Sequence, residues 1–335
     1  MKKAKVVSVF DGMACGMIAM LNAGIEVESY DAYEINKYAI KVSSHNFPNI
    51  RHHGDVFEAD FTRHEGADFV FAGFPCTKFS IAQKNDRETK PYSGEGWLLF
   101  EQAWRAVCEV KPKYFIFENN KSMAKPVQNE ISKIVGFKPI CINSSLVSAQ
   151  NRQRLYWVGE RTPDGTYRQV RVEQPKDKGI ILMDILDDAV TWLEKSWAYT
   201  TRCQGGAIKD TLSKHRHTLV AERVTSLVHD GMAICRADGK KHAVHVVRQH
   251  RLTINNETFH IELEDGHYIF RILSVPEASR LQTVPKWYDF SVISNSQAYK
   301  CLGNGWTCDV ITHLINATQT AARRKWLNDL LGDCL

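Results

Sequence analysis

A cysteine directly after a proline, Pro75-Cys76 in AGFPCTKFS, stands just past the short apolar run DFVFAGF. That run has the length and content of a buried strand ended by a turn. The proline fixes one backbone torsion, and with it the direction in which Cys76 leaves the strand. Further on come a carboxylate, Glu118 in FENN, and two guanidiniums, Arg152 and Arg154 in QNRQR. A thiol, an acid and two cations in this order can attack and polarise a pyrimidine ring. The thiolate is the reactive form, so its surroundings should be electropositive. Each residue taken singly has a plainer use. A free cysteine is most often a small buried hydrophobe, Glu-Asn after a strand is a turn, and spaced arginines make a solvated face. Their joint order, each at a predicted strand end, favours chemistry.

A second set of residues lies nearer the N-terminus. SVFDGMACG sets a strand, then Asp11, then glycines before a helix. Glycines let a ligand approach the backbone, and the helix start offers unpaired N–H groups. This is not GxGxxG, and a tight strand-to-helix turn explains it equally well. Glu34 ends the second strand, where a carboxylate can accept from both hydroxyls of a ribose. Asp55 in HHGDVF follows a third, short element and could accept from an adenine amino group. An exposed loop acid is the ordinary reading of each.

The elements that must carry these residues alternate. KVVSVF, VESYDAYE, DFVFAGF, KYFIFEN and RLYWVGE read as strands. MIAMLNAG, Ile35–His45 and Gly96–Val110 read as helices. Strands alternating with helices predict a doubly wound, mostly parallel α/β sheet, whose active residues lie beyond the strand C-terminal ends. Asp11, Glu34, Phe74 to Cys76 and Glu118 all fall there. Residues 161 to 178 are polar and read as a linker. Between 179 and 268 the pattern breaks into short pieces such as HAVHVV, RLTINN and HYIFRIL, predicting a smaller domain of irregular β structure. VPEASRLQ, SQAYKCLG and a long stretch from about Thr307 to Leu331 return to helix.

The 335 residues allow one large and one small domain, and a 44% hydrophobic, 24% charged balance is that of an ordinary globular chain. No apolar run is long enough for a membrane span. The nine cysteines include no CxxC pair, which suits a reduced, cytoplasmic setting better than a disulfide framework. No metal is expected: Cys203, His215 and His217 lack a second ligand at zinc spacing. Net charge is +5, and residues 196 to 251 alone hold ten Lys/Arg against four Asp/Glu, with six histidines. A local positive surface attracts a phosphate backbone, although a solvated basic face is the plainer alternative.

With these residues in view, the chain resembles the DNA cytosine-5 methyltransferase family, whose motifs are Pro-Cys, Glu-Asn-Val and Gln-x-Arg-x-Arg. Phe10-x-Gly12-x-x-x-Gly16 is similar to its first S-adenosylmethionine motif, and SQAYKCLGNGW (Ser296 to Trp306) to its last. RILSVPEASRLQTVP (Arg271 to Pro285) is close to a structural motif of the family. FDGMACG and GNGW are nearer in style to the animal de novo enzymes. The compact chain nevertheless reads as a bacterial or phage member, serving restriction-modification or phage protection. Only residues 161 to 268 lack a match, and in this family that stretch reads the target.

The resemblance implies a Rossmann-like catalytic domain from 1–160 plus 270–335, and a recognition domain from 161–269. It implies S-adenosylmethionine as cofactor, with Phe10, Asp11, Gly12, Met13, Cys15, Glu34, Ile35, Asp55, Val56, Phe74, Leu98 (beside Leu99), Asn304, Gly305 and Trp306 around it. Gly305 replaces the usual serine, which removes one hydrogen bond to the cofactor carboxylate. Cys76 would add to cytosine C6, Glu118 would hold or protonate N3, Arg152 would bind O2, Arg154 would orient Glu118, and Gln150 would support them. The partner would be double-stranded DNA, with the cytosine flipped out of the stack. The polar loop 77–96 reads as a lid, with Ser80, Gln83, Lys84 and Arg87 as phosphate or gap contacts. Arg202, Gln204, Lys214, Arg216, Arg248 and Arg251 are the candidates for the recognition domain's DNA face. Monomer and dimer stay open. An RNA (tRNA) cytosine-5 methyltransferase of the same fold is the first rival, and a non-catalytic DNA-binding relative the second.

Overall fold

A computed structural model describes residues 3–75, 78–79, 87–201, 208–214, 217–225, 232–235 and 241–332. Short β-branched and aromatic runs form the strands of the first half: β1 Ala4–Val9, β2 Val27–Tyr33, β3 Arg51–His52, β4 Phe69–Ala72 and β5 Tyr114–Asn120. Between them lie α1 Cys15–Asn22, α2 Lys37–Asn46 and α3 Glu95–Val110. After β5 come α4 Lys125–Val135, β6 Ile140–Asn143, β7 Gln150–Asn151, β8 Gln153–Arg161 and β9 Tyr167–Gln169.

The main sheet runs β3-β2-β1-β4-β5-β8-β6, with β9 also on β8. Strands β1 to β5 are parallel, whereas β8 is antiparallel to β5, β6 and β9. Successive side chains go to opposite faces, and both faces are buried. Val6, Phe69, Phe71, Tyr114 and Ile116 join one apolar layer with α1 and the C-terminal helices. Val7, Val9, Val70, Ala72, Phe115 and Phe117 join the other, against α3 and α4. That two-sided burial is why these strands read as unbroken apolar runs.

The stretch read as a linker is partly structured on this sheet. Gly159 pairs with Gln169, Tyr167 packs on Phe115, and Val170, Leu182 and Ile185 enter the first apolar layer. β10 Ser196–Trp197 pairs in parallel with β7, and the smaller domain follows: α5 Ile208–Lys214, β11 Leu219–Val224, β12 Ala233–Cys235, β13 Lys241–Ala243, β14 His245–Arg248, β15 Arg251–Ile254, β16 Glu257–His260 and β17 Gly266–Ile272. Its antiparallel sheet runs β11-β17-β14-β15-β16 over a core of Ala221, Val247, Leu252, Tyr268 and Phe270.

Three helices close the chain on the large domain: α6 Val275–Leu281, α7 Asn295–Asn304 and α8 Cys308–Gly332. Ser274 and Glu277 form a reciprocal capping box that starts α6. Glu277 is fully buried and also takes both terminal nitrogens of Arg271, at 2.6 and 2.9 Å. The motif from Arg271 onward is thus the joint where β17 hands the chain back to the large domain. No helix among the described residues is long and apolar enough to cross a membrane.

Candidate active site

Strand order reverses at β1, which sends the chain outward to β2 and later back to β4. Ligand crevices in open α/β sheets lie at such a point, beyond the strand C-terminal ends. The turn after β1 is wound tightly: Phe10, Gly12 and Ala14 all have positive φ, at 58, 62 and 62°. Non-glycine residues seldom adopt this backbone, so other groups must hold it. Glu34 Oε2 accepts from Gly12 N at 2.8 Å, and its Oε1 accepts from Ile35 N and Asn36 N. Tyr288 donates to Met13 O at 2.7 Å.

Asp11 sits inside this turn. Tyr30 donates to its Oδ1 at 2.7 Å, while its Oδ2 is buried without a hydrogen-bond partner. Burial pushes the Asp11 carboxyl up to about 7; bonds from Ser8 and Tyr30 pull it down, and the charge of Glu34 adds to the rise. An orphaned buried acid fits a ligand that brings a positive charge. The other candidates have the following surroundings. Ile35 is 73% exposed and Leu98 50%, large apolar side chains left uncovered. Asp55 caps a short 3-10 turn at Phe57 N, beside buried Val56. Gly12 has open space where a side chain would stand. A Cβ on Gly305 would lie 3.0 Å from Cys301 O and 3.2 Å from Cys15 Sγ. A side chain at 305 would need both neighbours to give way by a few tenths of an ångström. Asn304 ends α7 directly before it.

The catalytic candidates gather one and two strands away. Phe74 is buried against Phe79, Phe100 and Phe117, and its carbonyl accepts from Asn119 Nδ2 at 2.9 Å. Asn119 thereby ties the end of β5 to the turn that carries Pro75. Cys76 itself lies outside the described residues. Glu118 Oε1 is 2.9 Å from Arg154 Nε, and Glu118 Oε2 accepts from Trp306 Nε1 at 3.2 Å. Arg154 thus lies directly against Glu118. The terminal nitrogens of Arg152 donate to the carbonyls of Tyr199, Gly305 and Gly303, at 2.7, 2.9 and 3.3 Å. Gln150 is fully buried, donating to Leu281 O and Gln282 Oε1 and accepting from Tyr199 N.

The nucleic-acid candidates divide differently. Arg87 is engaged within the chain, donating to Ser122 O at 2.5 Å and to Phe79 O at 3.4 Å. Arg248 and Arg251 are exposed at the tight turn between β14 and β15, whose residues Gln249 and His250 have φ of 50 and 57°. Lys214 ends α5, but its side chain is outside the description, as are Ser80, Gln83, Lys84, Arg202, Gln204 and Arg216. Cys203 and His215, weighed for zinc, lie there too.

Four residues of the site carried no role in the sequence reading. Asn119 lay in the FENN motif, a usable signal. Tyr199, Gln282 and Tyr288 act through contacts 47 to 275 residues distant in sequence, which no local pattern announces.

A family model described as C-5 cytosine-specific DNA methylase matches residues 4–320. The chain is 32% identical over 173 residues to an orphan methyltransferase, M.Rho11sI, of Bacillus phage rho11s, covering 48% of this chain and 34% of that one. It is 29% identical over 329 residues to the type II methyltransferase M.HpaII of Haemophilus parainfluenzae, covering 90% and 86%. The chain spans about half the length, or less, of the phage relatives it matches. Among solved structures it is similar to a DNMT2 mutant of Spodoptera frugiperda, with a TM-score of 0.60, 18% identity, and 94% and 99% of the two chains covered. At that identity the likeness shows the fold.

Proposed function

The chain belongs to the C-5 cytosine-specific DNA methylase family, and from that premise we propose that it is a DNA (cytosine-5-)-methyltransferase acting on a flipped cytosine in duplex DNA. The observation that carries this reading is the Glu118–Arg154 pair at the end of β5, next to the turn that Asn119 ties down. An acid held beside a Pro-Cys turn suits attack on a ring that must be polarised at one atom and entered at another.

Cytosine C5 is a poor nucleophile until C6 is attacked. In the proposed sequence the Cys76 thiolate forms a bond to C6, and the C5–C6 electron pair becomes available at C5. Glu118 holds or protonates N3, which draws electrons away from C6. S-adenosylmethionine, when bound, supplies a methyl group on a positively charged sulfur. Once C5 carries the methyl, leaving the donor as a neutral thioether, the C5 hydrogen passes to water as a proton and the C6–sulfur bond breaks, returning the thiolate and restoring the ring double bond. Asp11, with its orphaned oxygen, would take the cofactor's ammonium group. Glu34 and Asp55 would take its ribose and adenine ends, and Ile35 and Leu98 would cover the purine.

The two arginines are bonded differently, which supports different roles for them. Arg152 spends its donors on three backbone carbonyls and braces the site. Arg154 touches Glu118 and is the better candidate to reach the base O2. The RNA rival has less support, because the matching family model is one for DNA methylases. A non-catalytic relative would have little reason to keep the buried Glu118–Arg154 pair.

Expression in a methylation-free bacterial strain followed by bisulfite sequencing tests this reading. Protected cytosines in a defined context are expected with the parent and absent with Cys76→Ser, since a hydroxyl is a far poorer nucleophile than a partly ionised thiol. A serine variant within tenfold of the parent would remove Cys76 from the mechanism. Methyl groups on tRNA but not on duplex DNA would transfer the reading to the RNA rival.

A further inference from the structure

We propose that Trp306 is a positioning residue for the catalytic acid, its indole N–H setting the plane of the Glu118 carboxylate. This rests on the function proposed above. A carboxylate gripped at one oxygen can still turn about its last carbon–carbon bond. Glu118 is gripped at both: Arg154 from β8 holds Oε1 at 2.9 Å, and Trp306 from the α7–α8 junction holds Oε2 at 3.2 Å. The two donors hold different oxygens, so the group that must meet N3 of the base has one orientation.

The surroundings of Trp306 are built for this reach. Its ring is 9% exposed and packs edge-on against Phe71 of β4, with centroids 6.3 Å apart. Gly73, two residues on, lies under it. A Cβ there would stand 2.6 Å from the indole nitrogen and 3.0 Å from its neighbouring ring carbon. Any side chain at 73 would push the N–H off Glu118. Behind the tryptophan the backbone is pinned on both sides. Gly305 O accepts from Arg152 Nη2 at 2.9 Å, and Thr307 Oγ1 donates to Gln282 Oε1 at 2.9 Å.

The arrangement gives the buried Arg152 a purpose: it fixes the carbonyl of Gly305, next to the tryptophan that orients the acid, while Arg154 orients the acid directly. Asn304 and Gly305 are also cofactor candidates, so one short segment serves both the methyl donor's pocket and the acid.

The test is Trp306→Phe, which keeps the ring packing and removes the N–H. Methyl transfer to duplex DNA by the parent is measured first. At saturating DNA and S-adenosylmethionine, the single-turnover rate should fall at least about tenfold, the loss expected for one hydrogen bond to a charged group. KM for DNA and the calorimetric Kd for S-adenosylmethionine should stay within about threefold, a split that a general loss of structure would not give. If the phenylalanine variant does not fold, Gly73→Ala carries the test with the same thresholds, since its methyl displaces the indole without touching Glu118. A rate within threefold of the parent overturns the proposal. So does a rate loss that disappears on raising the cofactor concentration, which would make Trp306 a cofactor contact only. A parent with no transfer to DNA overturns the functional reading and this inference together.

Discussion

Arg154 and Glu118 meet diagonally across the antiparallel pair β5–β8: Arg154 stands opposite Asn120, Glu118 opposite Tyr156, and Nε lies 2.9 Å from Oε1. Residues two apart on neighbouring strands share a face of the sheet, so the contact follows from register. It also requires the reversal of β8. In a parallel neighbour the residue beside the C-terminal end of β5 would be another C-terminal one. The antiparallel strand instead brings its first residues, Gln153 to Arg154, to the edge where β1, β4 and β5 all finish.

Breaking this pair should therefore cost both activity and stability. Both side chains are about nine-tenths buried, and removing one partner of a buried pair costs on the order of 3–5 kcal/mol. Arg154→Ala is expected to lose at least about a hundredfold in methyl-transfer rate and to unfold at lower urea. Arg152→Ala is expected to act first on stability, because it strips a donor from three carbonyls. Single-turnover rates and urea titrations of the two variants check this. If Arg154→Ala retains the parent's rate and midpoint, Glu118 does not depend on its partner.

Asp11 should make cofactor affinity depend on pH. Its carboxyl is raised to about 7 by burial, above its unfolded value of about 4. The folded, empty protein therefore favours the neutral form, and stability contributed by Asp11 falls as pH rises between those values. A cationic ligand favours the carboxylate, so binding below pH 7 should release a proton. S-adenosylmethionine Kd should tighten from pH 6 to 8, and Asp11→Asn should flatten that profile. Calorimetry in buffers of different ionisation enthalpy reads the proton count. A pH-independent Kd in the parent would place the cofactor's charge away from Asp11.

Glu34 and Asp55 should differ in degree. Glu34 holds three backbone N–H groups, one of them Gly12 in the left-handed turn; Asp55 caps one. Losing a charge-assisted hydrogen bond costs on the order of 1.5–3 kcal/mol, a rise in Kd of roughly tenfold or more. Asp55→Ala should lie near that figure and Glu34→Ala above it, as the turn also loosens. Unchanged Kd values in both folded variants would mean that the cofactor binds elsewhere.

Much of this was legible in the sequence for a physical reason. Strands buried on both faces leave unbroken apolar runs, so β1, β4 and β5 announce themselves, and chemistry at their ends is readable from Asp11, Pro75-Cys76 and Glu118. Direction is not readable: RLYWVGE gives no sign that β8 runs antiparallel, because pairing is decided by its neighbours. Nor is the fate of a guanidinium. Arg87 and Arg152 read as DNA and base contacts, and in the fold each also donates to carbonyls distant in sequence, Ser122 O and Gly305 O among them. The polar stretch after Arg161 hides Val170, Leu182 and Ile185, single apolar residues too sparse to form a pattern.

The recognition role of the smaller domain is the remaining prediction. Residues 196 to 251 hold ten basic against four acidic side chains, although the rest of the protein has no basic excess. Arg248 and Arg251 stand exposed at the tight turn joining β14 and β15, inner strands of the five-stranded sheet, where long side chains at a sheet end can reach into a major groove about 12 Å wide. Arginine pairs with guanine edges in that groove, whereas arginines on phosphates add affinity without selectivity. The two roles separate by salt and by sequence. Replacing a phosphate contact weakens binding to all sequences and reduces the salt slope by about one. Replacing a base contact relaxes the choice at one position. Exchanging residues 179 to 268 with those of a relative of known site, then mapping methylated cytosines by bisulfite sequencing, decides whether the domain selects at all. The chimera is expected to adopt the donor's context. An active chimera that keeps the parent's context would assign selection to the large domain and leave the basic segment a clamp.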